Sequence, residues 1–283
     1  MEQFRKRIRK AGKMKLKVRD FELKQIADSG QCFRWHELDA MTFDIVAHNR
    51  VLRVAQTLDT INLNCTEEEF REIWEEYFDL KTDYRIYKDT IEQSKDDYLT
   101  VAVRTGSGIR ILKQDPWEML ITFITSQQMQ IPRIKQLIER LCSTYGSRIA
   151  DTNYYTFPDS ETLYRNYRLK EELESMGFGY RAKYIADTVR MVANHEIDLS
   201  MPYLLCGDCA VTYLKRLTGV GDKVANCIAL FGYHKIDTFP VDTWIKRIID
   251  TEYNGNFDRD RYKGFEGIVQ QYMFYHQRTI ERR

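Results

Sequence analysis

Lys223 and Asp242 are the two side chains of this chain best placed to act as a nucleophile and its charge partner. They stand nineteen residues apart within LKRLTGVGDKVANCIALFGYHKIDTFPVDTW, residues 214–244. Lys223 follows the turn Gly219-Val220-Gly221 by two positions, and Asp242 closes the triplet Pro240-Val241-Asp242. An amine attacks carbon only as the free base, so a lysine in that role has to be desolvated or set beside another cation. A neighbouring carboxylate can stabilise positive charge that develops at the attacked carbon. The glycines permit backbone conformations that a Cβ would forbid. At the start of the helix that follows, outward N–H groups and the helix dipole favour an anion, and a DNA phosphate is the natural occupant. Asp222 is expected to be the N-cap of that helix, which puts Lys223 on its first turn. Asp242 is expected to cap the next helix, whose buried face would be Trp244, Ile245, Ile248 and Ile249.

These residues need a scaffold, and 283 residues suffice for two domains with proper cores. Residues 15–65 read as β-rich, because KLKVRDFEL, RWHELDAMTFDIVAH and RVLRVAQTLDTINLN alternate apolar and polar positions between turn-like breaks. Thr66-Glu67-Glu68-Glu69 is a capping box that opens a helix with the stripe Phe70, Ile73, Trp74, Tyr77 and Phe78. From about residue 84 onward helical periodicity dominates, and Pro116, Pro132, Pro158, Pro202 and Pro240 mark helix starts or boundaries. The fold class is α+β. An antiparallel sheet domain over residues 1–105, with a basic N-terminal arm, packs on a mostly helical domain over 106–283.

Composition narrows the setting. No apolar run approaches a membrane span, and the start MEQFRKRIRK has no secretory core. Six scattered cysteines without scaffold spacing point to a reducing, intracellular compartment, in the nucleus if the source is eukaryotic. Cys206-Gly-Asp-Cys209 is a lone CxxC with no second pair, so no zinc site is assigned to it. Net charge is only +1, which weighs against binding that relies on phosphate neutralisation alone. Nine lysines and arginines crowd the first twenty residues, from Arg5 to Arg19, and this run reads equally as a DNA-contacting arm or a solvated one.

The 214–244 segment resembles the helix-hairpin-helix (HhH-GPD) DNA glycosylases, and its lysine marks the bifunctional members, which cut the glycosidic bond and then the strand. Dispersed segments narrow the resemblance to the 8-oxoguanine DNA glycosylase/AP lyases. SGQCFRW at 29–35 is similar to that family's SGQxFRW, IRILKQDP at 109–116 to RxLxQDP, FITSQQ at 123–128 to FIxSxN, and GYRAKY at 179–184 to GYRAxY. Gly267 to Gln270, with Phe274 four residues on, is similar to the C-terminal GxxQ…F helix. There is no cysteine after Cys227, so the iron–sulfur cluster of the endonuclease III branch is not expected.

The resemblance implies excision of 8-oxoguanine from duplex DNA after the base is flipped out. Lys223 would attack the anomeric carbon and form a Schiff base, from which β-elimination cuts the strand, while Asp242 stabilises the developing charge. Cys227, one turn beyond Lys223, and Phe274 would sandwich the base, Gln270 would read its Watson–Crick edge, and the Gly30 carbonyl would accept the N–H that distinguishes the lesion from guanine. Gly219, Val220 and Gly221 would hold the DNA backbone. Tyr180 would be the wedge, and Gln128, Arg133 and Arg181 would read the opposite base, for which cytosine is expected. Without the resemblance, Tyr180 would be a packed tyrosine, Cys227 a small buried hydrophobe and Gln270 a surface amide. No metal or organic cofactor is needed for bond breaking, and a structural ion at the hairpin carbonyls is left open. The partner is double-stranded DNA containing 8-oxoguanine, and the enzyme is expected to be a monomer. Two departures from the pattern are Gln128, where asparagine is usual, and Trp244, where many relatives carry histidine. The alternatives are a glycosylase with another lesion preference and a non-catalytic helix-hairpin-helix DNA-binding protein.

Overall fold

The computed structural model describes residues 12–281, so most of the basic run, Arg5 to Lys10, lies outside the described residues. Five strands form one antiparallel sheet: β1 (Met14–Lys17), β2 (Trp35–Asp39), β3 (Thr42–Ala47), β4 (Arg50–Thr57) and β5 (Thr60–Leu63), in the order β1-β5-β4-β3-β2. Alternation along β4 buries Leu52 and Val54, and register sets them against Ile45 and Leu63. Helix α1 (Leu23–Asp28) sits between β1 and β2 and buries Leu23 and Ile26 in the same core.

The capping-box segment holds, with a difference. Thr66 Oγ1 accepts from the Glu69 N–H at 3.1 Å, a cap worth about 1 kcal/mol. The Glu69 carboxylate takes the Trp74 indole N–H at 3.1 Å. The helix then loosens: α2 (Glu67–Glu69) runs into a π-turn at Phe70–Trp74 and on to α3 (Glu75–Tyr77). That extra residue per turn still leaves Phe70, Trp74, Tyr77 and Phe78 buried against the sheet, while Ile73 is only partly covered.

The remainder is helical: α4 (Arg85–Gln93), α5 (Asp97–Thr105), α6 (Pro116–Thr125), α7 (Ile131–Tyr145), α8 (Ser160–Tyr164), α9 (Leu169–Met176), α10 (Arg181–Ala193), α11 (Met201–Leu204), α12 (Gly207–Leu214), α13 (Asp222–Gly232), α14 (Thr243–Glu252) and α15 (Glu266–Glu281). Helix α6 is buried from Met119 to Thr125, which fits its nearly unbroken apolar run, and it packs on α13. Asp115 caps it through the Glu118 N–H, with Pro116 in its first turn.

Buried polar contacts join the two halves, and several belong to the dispersed sequence segments. Gln31 donates to the Arg110 carbonyl and accepts from the Leu112 N–H, both at 2.8 Å. Gln114 in turn donates to the Gln31 carbonyl at 2.8 Å. Arg34 reaches Glu139 at 3.3 Å, Glu118 at 3.6 Å and the Tyr155 carbonyl. Burial outweighs Arg34 at Glu118 and raises that carboxyl to about 7. The Ser29-Gly30 turn is thereby clamped to the irregular 110–114 segment that leads into α6.

Candidate active site

The hairpin is α12, a turn and α13. The turn is built by 3₁₀-type bonds, Leu217 N–H to Leu214 O at 3.1 Å and Val220 N–H to Leu217 O at 3.2 Å. Val220 is buried, so its side chain anchors the turn from beneath and only its backbone can meet a ligand. The two glycines do different work. Gly219 has φ +77°, and a Cβ there would lie 2.3 Å from the Tyr184 ring. Gly221 has φ −90° with nothing within 4 Å of a built Cβ, so open space rather than conformation is what its lack of a side chain secures. Gln127 ties the turn to the end of α6 by donating to the Gly219 carbonyl at 3.1 Å.

The cap of α13 corrects the sequence reading. Gly221, not Asp222, is the N-cap; Asp222 is the first helical residue and its carboxylate pairs with Lys215. Glycine tolerates the cap position with a loss of only a few tenths of a kcal/mol. Asp242 does cap α14, accepting from the Ile245 N–H at 2.9 Å. Of the expected buried face, Ile245 and Ile248 are buried and Ile249 partly so; Trp244 turns into the cleft.

Lys223 and Asp242 line one cleft of about 1030 Å³ with Gly30, Cys227, Gln270, Phe274, Gln128 and Gly221. Lys223 Nζ stands over the Phe123 ring, 5.5 Å from its centroid. Phe123 is stacked on Phe231 at 5.4 Å and meets Phe33 edge-on at 5.8 Å. Segments far apart in the chain thus make an aromatic floor for the amine. Burial pushes the Cys227 thiol up, with the Lys223 charge pulling the other way, so it presents a neutral, polarisable surface. Burial also lifts the Asp242 carboxyl above the ordinary aspartate range, opposed by the Ile245 N–H and by Lys223.

Gln270, Phe274 and Arg278 recur at four-residue intervals along α15 and all line the cleft. The buried Gln270 accepts from the Gln271 amide at 3.0 Å, which orients its own NH₂ group. Phe274 lies against Gly30, whose φ is +77° and whose built Cβ would be 2.9 Å from the ring.

A second group adjoins the cleft through Gln127 and Gln128, which line it. Tyr180 is 46 % exposed at the start of α10, after Gly177 (φ +98°) and Gly179 (φ +58°). The Arg181 guanidinium backs its ring at 4.5 Å. Arg181 itself is buried and donates to the Gln127 carbonyl at 2.8 Å and to the Gln128 carbonyl at 3.3 Å. Gln128 is exposed, with left-handed backbone (φ +51°). Arg133 is exposed on the first turn of α7, bonds Gln136 and packs where a side chain at Gly177 would fall. It is not part of the cleft lining.

Phe123, Phe33 and Arg278 were not singled out by sequence. Arg278 carried a signal, its i+4 spacing from Phe274. The aromatic floor carried none beyond membership of the segments around it. The CxxC pair proves to be a helix cap, with Cys206 Sγ accepting from the Cys209 N–H at 3.3 Å. Among the described residues no group of three or more His, Cys, Asp or Glu could hold a metal, and no helix is long and apolar enough to cross a membrane.

Comparison with known proteins agrees along the chain. Residues 13–120 match the 8-oxoguanine DNA glycosylase N-terminal domain, and residues 121–265 match the HhH-GPD superfamily base excision DNA repair protein family. The probable N-glycosylase/DNA lyase of Methanothermobacter thermautotrophicus is 30% identical over 94% of this chain and 96% of its own length. The Clostridium acetobutylicum 8-oxoguanine glycosylase/lyase, solved with double-stranded DNA containing cytosine opposite 8-oxoG, is 36% identical with a TM-score of 0.85, covering 93% of this chain and 94% of that one. MBOgg1, solved with a low-affinity DNA ligand, is 38% identical with a TM-score of 0.88, covering 95% of this chain and 96% of that one.

Proposed function

We propose a function from a fixed premise: the chain belongs to the HhH-GPD superfamily of base excision DNA repair proteins, in the branch that carries the 8-oxoguanine DNA glycosylase N-terminal domain. It is a bifunctional glycosylase/lyase. It excises 8-oxoguanine from duplex DNA and then cuts the strand at the site it has made. The observation that carries this reading is the shared lining of one cleft by Lys223, Asp242, Gly30, Cys227, Gln270 and Phe274.

The Lys223 amine attacks the anomeric carbon as the bond to the base breaks, and the base departs with the proton released by the newly bonded nitrogen. Asp242, ionised, stabilises positive charge on the sugar as that bond lengthens. The sugar opens to a Schiff base on Lys223, loss of a C2′ proton expels the 3′ phosphate, and water releases the lysine. The flipped base lies between Cys227 and Phe274, with its Watson–Crick edge at Gln270 and its oxidised imidazole edge at the Gly30 carbonyl. Free N–H groups at the start of α13 grip the backbone phosphate.

Tyr180 is the wedge, supported by its exposure, its glycine-flanked turn and the guanidinium behind it. Gln128 faces the partner base, held by Arg181 through the Gln127 and Gln128 carbonyls, and Arg133 flanks it. Cytosine is the preferred partner, because arginine has donors and no acceptor. The enzyme works as a monomer without a metal or organic cofactor in the bond-breaking steps.

The test is borohydride trapping on a duplex carrying 8-oxoguanine opposite cytosine. A covalent protein–DNA adduct is expected. Specific binding of that duplex with neither adduct nor excision would leave a DNA-binding protein and overturn the enzymatic reading.

A further inference from the structure

The geometry points to Arg278 as a positioning residue for lesion recognition, one that fixes the distance between the Gly30 turn and the Phe274 ring. The inference rests on the base-excision reading above and adds to it a residue outside the sandwich itself. Three observations meet at this side chain. Arg278 Nη1 donates to the Asp28 carbonyl at 2.8 Å, and Asp28 is the last residue of α1, two positions before Gly30. The guanidinium carbon lies 5.4 Å from the centre of the Phe274 ring, one turn back on the same helix. A Cβ built on Gly30 would come within 2.9 Å of Phe274 and 3.8 Å of Arg278 Nη1, so turn, ring and guanidinium form one contact group.

Physical chemistry gives this arrangement a task. Telling 8-oxoguanine from guanine depends on one hydrogen bond at the imidazole edge, and such a bond weakens steeply with sub-ångström displacement. The Ser29-Gly30 turn would carry the acceptor and α15 would carry the stacking ring. The two come from opposite ends of the chain, 240 residues or more apart in sequence. A side chain that caps the last carbonyl of α1 and lies against Phe274 ties acceptor and ring to one rigid helix. Arginine suits this and lysine does not, because the planar guanidinium can stack on a ring while its fork donates in a fixed direction.

The experiment compares wild type, Arg278→Ala and Arg278→Lys on three duplexes: 8-oxoguanine opposite cytosine, guanine opposite cytosine, and a preformed abasic site. Abasic-site cleavage uses Lys223 but has no base to hold. For both variants, single-turnover excision of 8-oxoguanine is expected to fall by roughly tenfold to a hundredfold. Abasic-site cleavage should fall by no more than about twofold, since only base placement is lost. If Arg278 acts only as a charge on a phosphate, lysine will restore excision and alanine will lower the salt dependence of binding by about one ion. That result overturns the inference, as does undiminished excision by Arg278→Ala. An equal loss on the lesion and abasic duplexes would reduce Arg278 to a structural residue. Should the alanine variant fail to fold, the lysine variant still decides between geometry and charge. Failure of wild type to excise 8-oxoguanine would instead strike the functional reading itself, and this inference with it.

Discussion

Alanine at Gly219 and alanine at Gly221 should produce opposite phenotypes, although sequence gives the two glycines the same role. At Gly219 the backbone is left-handed, which costs an L-residue roughly 1–2 kcal/mol. The new Cβ would also sit 2.3 Å and 2.4 Å from two Tyr184 ring carbons. Ordinary contact begins near 3.5 Å, so ring or turn must move by about 1 Å, at an overpacking cost of about 1–3 kcal/mol. The total of about 2–5 kcal/mol corresponds to a drop in melting temperature on the order of 5–15 °C for a chain of this size. Because Tyr184 lies on α10, four residues beyond Tyr180 and in contact with its ring, the displacement should reach the proposed wedge as well. At Gly221 the backbone is one that alanine adopts freely and the space is empty, so gain in chain stiffness and loss of a good cap nearly cancel, to within about 0.5 kcal/mol. What Gly221→Ala removes is the close approach of a phosphate to the start of α13. Differential scanning calorimetry and a titration of lesion DNA separate the two effects. Gly221→Ala should melt like wild type and bind DNA at least about tenfold more weakly, the loss of one or two charge-assisted hydrogen bonds. Wild-type affinity in that variant, or equal melting points in the two, would refute the assignment of separate roles.

Lys223→Gln should give no borohydride-trapped adduct and no excision, while lesion-DNA affinity stays within about threefold, because the amine acts in the transition state and the hairpin backbone carries binding. Asp242→Asn should slow excision about a hundredfold. It should also melt higher than wild type at neutral pH, because burial raises the Asp242 carboxyl above the ordinary range. The folded state holds that proton more tightly than the unfolded chain does, so stability falls as pH rises through the raised value, and asparagine, an equally good cap, escapes that loss. The gap in melting temperature should close as the pH is lowered toward the ordinary aspartate value. Gln128→Asn should raise the melting temperature by about 1–4 °C, since asparagine relieves about 0.5–1 kcal/mol of left-handed strain at φ +51°; an unchanged value would mean that glutamine sits there without strain.

What sequence made legible was local. The proposed nucleophile and its partner carboxylate lie on two successive helix starts, the first just after the glycine turn; apolar periodicity gave the sheet and the helices, and of the two expected aspartate caps Asp242 holds. The α13 cap was misplaced by one position because Asp222 is the better capping side chain but Gly221 is the residue in extended backbone, and the Asp222 carboxylate pairs with Lys215 instead. Trp244 was placed in the core by its spacing from Ile248, and the helix turns it instead to the cleft edge, where an aromatic face remains accessible. Contacts that depend on three-dimensional meeting were not legible. Nothing in the order of residues shows that Phe33, Phe123 and Phe231 come together under one lysine.

The Arg181 guanidinium braces the loop proposed to face the opposite base. A loop left free would present Gln128 only after losing backbone entropy, roughly 1–2 kcal/mol per residue. Here the guanidinium is already ordered: it is buried, bonded to two consecutive carbonyls and stacked behind Tyr180. Those bonds hold Gln128 in its left-handed conformation with the side chain at the surface. Gln127, in the same loop, bonds the Gly219 carbonyl. The 127–128 loop is therefore connected by direct hydrogen bonds to Arg181, which backs Tyr180, and to the glycine turn. On the proposed reading, insertion of Tyr180, grip on the phosphate and inspection of the partner base meet in this one short segment, so a substitution that displaces it should affect all three.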